Sequence, residues 1–597
     1  MNFDTALDIL SAQSGRLRGE MGFVWSEQTA QAVHALRFRT RAGAARRGPL
    51  PELAAVVGGA SSGKSTVFNN LLGGRRASLV TIKSHATRGL ILAAHRDQQP
   101  QLDTWLLHER LLLPTLVVQP APGDTDLQGD PLTVTVLYHD EPALRDTVLV
   151  DTPDFTSSAA EREGDIALSM LPWFDRLLVV VDHERWFDRQ VMDDLGGAAE
   201  RFGQKRMVIF NRTQQGALGS SDRERLQEQA RQLAADRVCV LEYHSGRGFR
   251  RFGPEFTREM LTFLDEPRGD RSGSLRREAA TRAAAVLVEN ERRLAALDRL
   301  RRVLRHSVTN MSLTSWWECV TALMSPAERD RLDSFSRLLG LSQARDWLDR
   351  QRRRIEGTLS RVPWLRLPTA SSAPERELPA EPFSREQSGL DFFEAQCERQ
   401  RRQLNDDAAA SEFWDQVRRA TGRLPQPLGS DFTESFRGRA REAVGALGRA
   451  LEAWDAKVAH ECQGLSAPVV GSLSMTLVGI AAVLVAVPGP VAALTPVVAA
   501  GAIKAGLVKI GAAGVFGALG GRPIARLVEI VREKLLASPE FNDVRMAAER
   551  FRQLLEEHGQ AAARELEMSA GRLTLAPGEP LLEALRIVRD QENEGHD

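Results

Sequence analysis

The sequence predicts an α/β head with a mainly parallel sheet, joined to a large all-α bundle or stalk that carries an apolar hairpin. Three observations predict it. The motif Gly58-Gly59-Ala60-Ser61-Ser62-Gly63-Lys64-Ser65 sits between an apolar run, Leu53–Val57, and a helical stretch that opens at Thr66. Short apolar strands then alternate with helical stretches as far as about Leu264, as a parallel sheet requires. From about Ser272 the pattern changes to helices rich in Arg, Glu, Leu and Ala.

In chain order, residues 1–50 read as an N-terminal helical segment packing with the bundle. It ends in the arginine-rich stretch Arg39–Arg47, and Pro51 marks entry to the head, 51–266. Strands are expected at Leu53–Val57, after Thr87, at Leu132–Tyr138, Thr147–Val150, Leu177–Val181 and Met207–Phe210, and last at Val238–Leu241. Leu132–Tyr138 and Thr147–Val150, joined by a short polar loop, read as a hairpin. Residues 267–465 form the bundle or stalk, with long helices expected at 272–306, 325–357, 385–420 and 430–464 and a proline-rich loop at Val362–Phe383. The last helix is the clearest. Phe432, Phe436, Ala440, Val444, Leu447, Leu451, Trp454 and Val458 recur at spacings of three and four, and Ser430-Asp431 with Glu434 can cap its start. Residues 521–597 read as C-terminal helices returning to the bundle, an amphipathic one at about 523–557 and a polar tail.

Composition bounds the partners. A length of 597 residues predicts several domains, and a net charge of −1 gives no global field for nucleic acid. Only seven lysines occur, so arginine clusters reflect composition more than a patch. The four cysteines, Cys239, Cys319, Cys397 and Cys462, lack metal-like spacing and read as free thiols. Met1-Asn2-Phe3-Asp4 carries neither a basic nor an apolar leader region, so the expected location is cytoplasmic.

Residues 466–520 form the second informative stretch. No charged residue occurs between Glu461 and Lys504. Two apolar arms, Leu473–Val487 and Val491–Ile503, flank Pro488-Gly489-Pro490, and each is shorter than the roughly 20 residues of a spanning helix. Three readings stand: a membrane-associating hairpin with Lys504 and Lys509 at headgroup level, a pair of spanning helices, or a buried hairpin in the bundle core. The first is preferred, giving a peripherally membrane-associated protein that meets lipid through 466–520.

The strand–loop–helix context of Gly58–Thr66 is what a phosphate-binding loop needs. Backbone N–H groups of Gly58, Gly59, Ala60, Ser61, Ser62 and Gly63 turn toward a phosphate, and the helix N-terminus adds partial positive charge. Lys64 reaches the β/γ-phosphates and the Ser65 hydroxyl ligates Mg²⁺. Thr87, 23 residues past Lys64, is a candidate for Mg²⁺ and for sensing the γ-phosphate, with Thr81 a rival. Asp151, at the end of a strand in Asp151-Thr152-Pro153-Asp154, can hold the Mg²⁺ shell through water. Asn211-Arg212-Thr213-Gln214 ends a further strand where a base-reading motif is expected, and a backbone N–H near Ser245 can contact the base.

These pieces together resemble the dynamin-like members of the P-loop GTPase superclass: Gly58-x-x-Ser61-x-Gly63-Lys64-Ser65, Ala86-Thr87-Arg88-Gly89, Asp151–Asp154 and Asn211–Gln214. The resemblance implies that Ser61 neutralises transition-state charge and that Thr87, in switch I, positions the attacking water. It also implies GTP and Mg²⁺ as ligands, a homodimer or larger assembly, a helical stalk around the head and a membrane-binding tip, for which 466–520 is the candidate. Motif-level similarity covers about 53–250; the rest is similarity of layout.

Two departures from the family pattern bear on chemistry. Asp154 stands where a glycine gives its N–H to the γ-phosphate, which restricts the backbone and adds a carboxylate near a polyanion. Gln214 stands where an aspartate reads guanine, and its amide brings an NH₂ to a site that faces donors. A dynamin-like GTPase is thus the first expectation, with GTP ahead of ATP. A nucleotide-binding scaffold with weak or no hydrolysis is the second. A soluble nucleoside triphosphatase with the apolar hairpin in its core is the third.

Overall fold

The computed structural model describes residues 1–44, 51–59, 61–75, 77–78, 80, 89–103, 117–120, 127, 133–153, 168–182, 195–198, 201–214, 220–243, 252–267, 271–322, 385–422, 428–429, 433–461, 463, 534–535 and 537–591. The chain divides into two compact units, one of Met1–Leu294 with Arg572–Asp597 and one of Ala295–Gly571. The expected helix at 325–357, the loop Val362–Phe383 and the apolar stretch 466–520 lie outside the described residues. Among those described, no helix is long and apolar enough to cross a membrane.

The first unit is built on an eight-stranded sheet: β1 (Glu52–Gly58), β2 (Leu90–His95), β3 (Val117–Pro120), β4 (Thr133–His139), β5 (Thr147–Asp151), β6 (Arg176–Asp182), β7 (Lys205–Gln214) and β8 (Arg237–Tyr243), in the order β3-β4-β2-β5-β1-β6-β7-β8. Every pairing is parallel except β2 with β5. The expected hairpin of β4 and β5 is therefore corrected: β2 lies between them, parallel to β4 and antiparallel to β5. Leu90, Ile91, Leu92, Ala93 and Ala94 are all buried, so β2 is apolar on both faces and takes an interior place. Residues 140–146, with a helical turn at Pro142–Leu144, span two strand spacings, about 10 Å.

Side chains alternate across this sheet. On one face Ala55, Val57, Leu92, Val148, Val150, Leu177, Val179 and Val208 share a core with the N-terminal helices α1 (Phe3–Gly15) and α2 (Glu27–Ala44). On the other, Ala54, Val56, Ile91, Leu149, Leu178, Val180 and Ile209 pack with Val67, Phe68 and Leu71 of α3 (Lys64–Leu71). Short α4 (Gln99–Asp103) follows β2, and α5 (Ser220–Gln232) precedes β8. Helix α6 (Pro254–Leu264) adds Met260, Phe263 and Leu264 to the second face.

Charged residues fasten the N-terminal ends of β1 and β6. Asp175 accepts from the Leu53 N–H at 3.0 Å and from Arg39 of α2 at 2.6 Å, with Arg271 at 3.7 Å. Arg271 opens α7 (Arg271–Ala322), and burial pulls its guanidinium down to about 9 against the opposing pull of Asp175. Arg176, fully buried, pairs with Glu52 and donates to the Phe263 carbonyl at 2.6 Å. The expected helix at 272–306 extends to Ala322 because no glycine or proline follows Gly273 until Pro326. Residues 571–579 lead to α12 (Pro580–Asp590), whose Leu581, Leu582, Leu585 and Val588 are buried in the first unit's core beside α1. The expected polar tail is thus amphipathic and packs on α1.

In the second unit, the expected helix at 385–420 is two. Helix α8 (Arg385–Ala409) stops at Ala410, and the Ser411 hydroxyl then caps α9 (Glu412–Thr421) by accepting from the Trp414 N–H. Gly422, at φ +66°, closes α9. Helix α10 (Glu434–Glu461) buries Phe436, Ala440, Val444, Leu447, Trp454 and Val458 of the expected face, while Ser430–Phe432 lie outside the described residues. Helix α11 (Pro539–Gly571) opens at Ser538, whose hydroxyl accepts from the Phe541 N–H; residues 523–533 of the helix expected at 523–557 lie outside the described residues. Helices α8, α10 and α11 pack together around Phe393, Phe436, Phe551 and a buried His558. Cys239 and Cys397 are free, buried thiols, and burial pushes Cys239 up to about 12.

Candidate functional site

Strand β1 ends in the loop that carries the phosphate motif. Gly58 has φ +153°, and a Cβ there would lie 2.2 Å from the Val180 carbonyl oxygen of β6, so only glycine lets the loop leave the sheet at this point. Gly63, at φ +96°, caps α3, and a Cβ on it would lie 2.0 Å from Asn211 Nδ2. Ser61 takes φ +59°, a left-handed conformation costly for a residue with a Cβ. The loop is thus coiled tightly over the N-terminus of α3, where the helix dipole favours an anion.

Lys64 is 4% exposed and its ammonium donates to the Gly59 carbonyl at 3.0 Å, which folds the side chain back over the loop. Ser62 Oγ is buried and has no protein partner among the described residues. A bound phosphate offers such a hydroxyl an acceptor. The glycine cradle, the folded-back ammonium and this buried hydroxyl fit a polyphosphate.

The cation position fits as well. Asp151, fully buried at the end of β5, takes the Ser65 hydroxyl on Oδ2 at 2.8 Å and the Ser78 hydroxyl on the same oxygen at 2.6 Å. A hydroxyl that donates to a carboxylate still has lone pairs for a divalent ion. Thr152 is buried too, and its Oγ1 donates to the Val56 carbonyl at 3.0 Å, tying β5 to β1 beside the loop. Among the described residues, no group of three or more His, Cys, Asp or Glu could by itself hold a metal ion. A cation here would draw its ligands from the Ser65 hydroxyl, the Asp151 carboxylate shell and the oxygens of a bound phosphate, a donor set of the kind Mg²⁺ takes.

Asn211 completes the constellation. The β7–β8 register shifts between Phe210 and Thr213, and such an irregularity re-aims side chains at the end of a strand. Asn211 Nδ2 donates to the Ser62 carbonyl at 2.8 Å. The backbone continues through Arg212 to Gln214, which pairs with Tyr243 of β8.

The structure therefore brings together Gly58, Gly59, Ser61, Ser62, Gly63, Lys64, Ser65, Asp151 and Asn211. Thr66 follows in the first turn of α3, its carbonyl accepting from Asn70. Ala60, Thr81, Thr87, Asp154, Ser245 and the side chains of Arg212 and Gln214 lie outside the described residues. Sequence reading missed Ser78 and Asn69. The available signal was Asn69 itself, an amide on a helix otherwise bound for the core. It is fully buried, accepts from the Ala77 and Ser78 N–H groups at 3.0 and 2.8 Å, and donates to the Ser78 carbonyl at 2.7 Å.

Residues 53–212 match the family described as 50S ribosome-binding GTPase. No curated protein matches the chain. Two solved chains described as an oligomerised bacterial dynamin pair, with a mechanism for long-range sensing and tethering of membranes, are similar at 11% and 12% identity. They cover 95% and 99% of this chain and 91% and 95% of their own, with TM-scores of 0.38 and 0.39. The bacterial dynamin GTPase LeoA from ETEC is similar at 13% identity over 96% of this chain and 99% of its own, with a TM-score of 0.23.

Proposed function

We propose that this chain, whose residues 53–212 form a P-loop GTPase domain, is a dynamin-like GTP-binding protein that hydrolyses GTP with Mg²⁺. Its nucleotide state is coupled to self-association and to membrane binding or remodelling. One observation carries the reading. Lys64, Ser65, Asp151 and Asn211, from three separate parts of the chain, converge on one glycine loop at the ends of β1, β5 and β7.

The residues divide the work. The loop N–H groups and Lys64 bind the β/γ-phosphates, Lys64 exchanging the Gly59 carbonyl for phosphate oxygen. Ser65 and the Asp151 shell hold Mg²⁺. Bound there, Mg²⁺ neutralises charge on the β- and γ-phosphate oxygens. Water attacks the γ-phosphorus, the bond to the β–γ bridging oxygen breaks, and GDP and phosphate leave. The motif resemblance assigns Ser61 to transition-state charge and Thr87 to the attacking water. Most of the rate comes from positioning and electrostatics. Asn211, Arg212, Gln214 and the Ser245 region receive the base. Heads associate as a homodimer or larger assembly, and 466–520 meets lipid, placing a cytoplasmic protein peripherally on a membrane.

GTP and ATP binding and turnover with Mg²⁺, with and without liposomes, test the reading. A guanine preference with turnover raised by liposomes supports it. Flotation that leaves the intact protein with the soluble fraction removes the membrane part and favours the soluble enzyme. The second reading, a nucleotide-binding scaffold, is favoured by Asp154 and Gln214. It expects tight binding, background turnover and assembly lost in Lys64→Ala.

A further inference from the structure

We propose that Ser78 is a positioning residue for the Mg²⁺ site, acting through the Asp151 carboxylate; the inference rests on the nucleotide-site reading just given. Ser78 is fully buried. Its hydroxyl donates to Asp151 Oδ2 at 2.6 Å, closer than the 2.8 Å of Ser65 to the same atom. A carboxylate held by one hydroxyl pivots about its Cβ–Cγ bond. Held by two hydroxyls from two segments, it keeps one orientation.

Ser78 is itself fixed with unusual completeness. Asn69 grips its peptide on both sides, accepting from the N–H at 2.8 Å and donating to the carbonyl at 2.7 Å. The preceding Ala77 carbonyl accepts from the Leu127 N–H at 3.0 Å, an isolated parallel bridge between Ser78 and Leu127. Asn69 lies four residues after Ser65 on α3, one turn along the same face. One helix therefore aims both donors: Ser65 from its first turn, and Ser78 through Asn69 from its second. The carboxylate between them is where a cation's outer shell is ordered.

Outer-shell partners of this kind tune a metal site without touching it. Loss of the Ser78 hydroxyl removes one of the bonds that orient the Asp151 carboxylate toward the cation position, while the phosphate loop keeps its own contacts. The cost falls on Mg²⁺, not on the nucleotide.

The test is retention of a fluorescent GDP analogue by the full-length chain, titrated with Mg²⁺. In Ser78→Ala the Mg²⁺ concentration at half-maximal retention should rise by about tenfold. GDP affinity in EDTA should stay near the parent value. Ser78→Thr, which keeps the hydroxyl, should return the midpoint toward the parent. An unchanged Mg²⁺ midpoint in Ser78→Ala overturns the inference. So does a loss of EDTA-state affinity as large as the loss with Mg²⁺, which marks Ser78 as merely structural. If the parent chain retains GDP equally with and without Mg²⁺, the site reading itself fails and the inference with it.

Discussion

Asn211 Nδ2 donates to the Ser62 carbonyl at 2.8 Å and also occupies the space where a Cβ on Gly63 would fall, 2.0 Å away. The end of β7 and the phosphate loop are thus built as one piece, with the side chain of one filling the missing side chain of the other. Asn211→Ala should leave the Ser62 carbonyl without this donor, at about 1–3 kcal/mol, and weaken GDP binding by about tenfold. Gly63→Ala should do worse, because the methyl and the Asn211 amide cannot share the space and φ +96° disfavours alanine. Isothermal titration with GDP, beside a thermal melt, checks both. Equal binding by Gly63→Ala and the parent would show that the loop repacks freely.

The head was legible because its signals are local. Leu53–Val57, Leu177–Val181 and Met207–Phe210 are continuous apolar runs, and a strand buried on both faces needs such a run. The glycines of the loop declare their backbone in the sequence itself. Strand order was not legible in the same way. Nothing in Leu132–Tyr138 or Thr147–Val150 says that β2 inserts between them, because pairing partners are set by long-range burial and a short polar loop suits either outcome. The break at Ala410-Ser411 was missed because the apolar spacing runs through it, although Ser411 is a good cap. Ser78 escaped because a lone serine after a helix has no pattern. Its place beside Asp151 is a matter of tertiary geometry.

Arg293 is a fastening of the first unit. Its guanidinium, fully buried, donates to the carbonyls of Met21 at 2.6 Å, Leu573 at 3.0 Å and Gly22 at 3.1 Å, and lies 4.1 Å from the Phe23 ring centroid. Burial draws its pKa down, and the Glu289 partner opposes that. Arg293→Ala strands three carbonyls in the interior and should destabilise the fold by about 3–5 kcal/mol. Chemical denaturation checks this, and a loss below about 1 kcal/mol would mean that water reaches these carbonyls.

His558 gives the second unit an acid-side weakness. Burial among the Phe393 and Phe436 rings lowers its pKa from 6.5 to about 4, and Nδ1 meets Gln400 Oε1 at 2.9 Å. The unfolded chain takes up the proton near 6.5 and the folded chain only near 4. Between these values the unfolded state binds more protons, so stability falls as pH drops from 6.5 to 4 and levels off below. The full span amounts to about 3 kcal/mol at most. His139 in the first unit is also lowered to about 4, so the two contributions need separating. His558→Gln should flatten the part of the slope reported by helical signal, and urea melts from pH 4 to 7 check it.

On the proposed GTP-binding reading, Gln214 stands where the base is read. A carboxylate at this position accepts from both guanine N1–H and the exocyclic amine, and both bonds gain from its charge. Glutamine offers one acceptor, and its NH₂ turns a donor toward donors. Adenine, with an acceptor at N1, is penalised less by that NH₂ than guanine is. Gln214→Asp should therefore raise the ratio of GTP to ATP affinity by about tenfold or more, mostly through tighter GTP. Competition between the two nucleotides for a fluorescent analogue measures the ratio. Because β7 extends through Gln214 to pair with Tyr243, the backbone is anchored there and the exchange changes chemistry more than position. A ratio that does not move would mean that the base is read elsewhere, with the Ser245 region the next to vary.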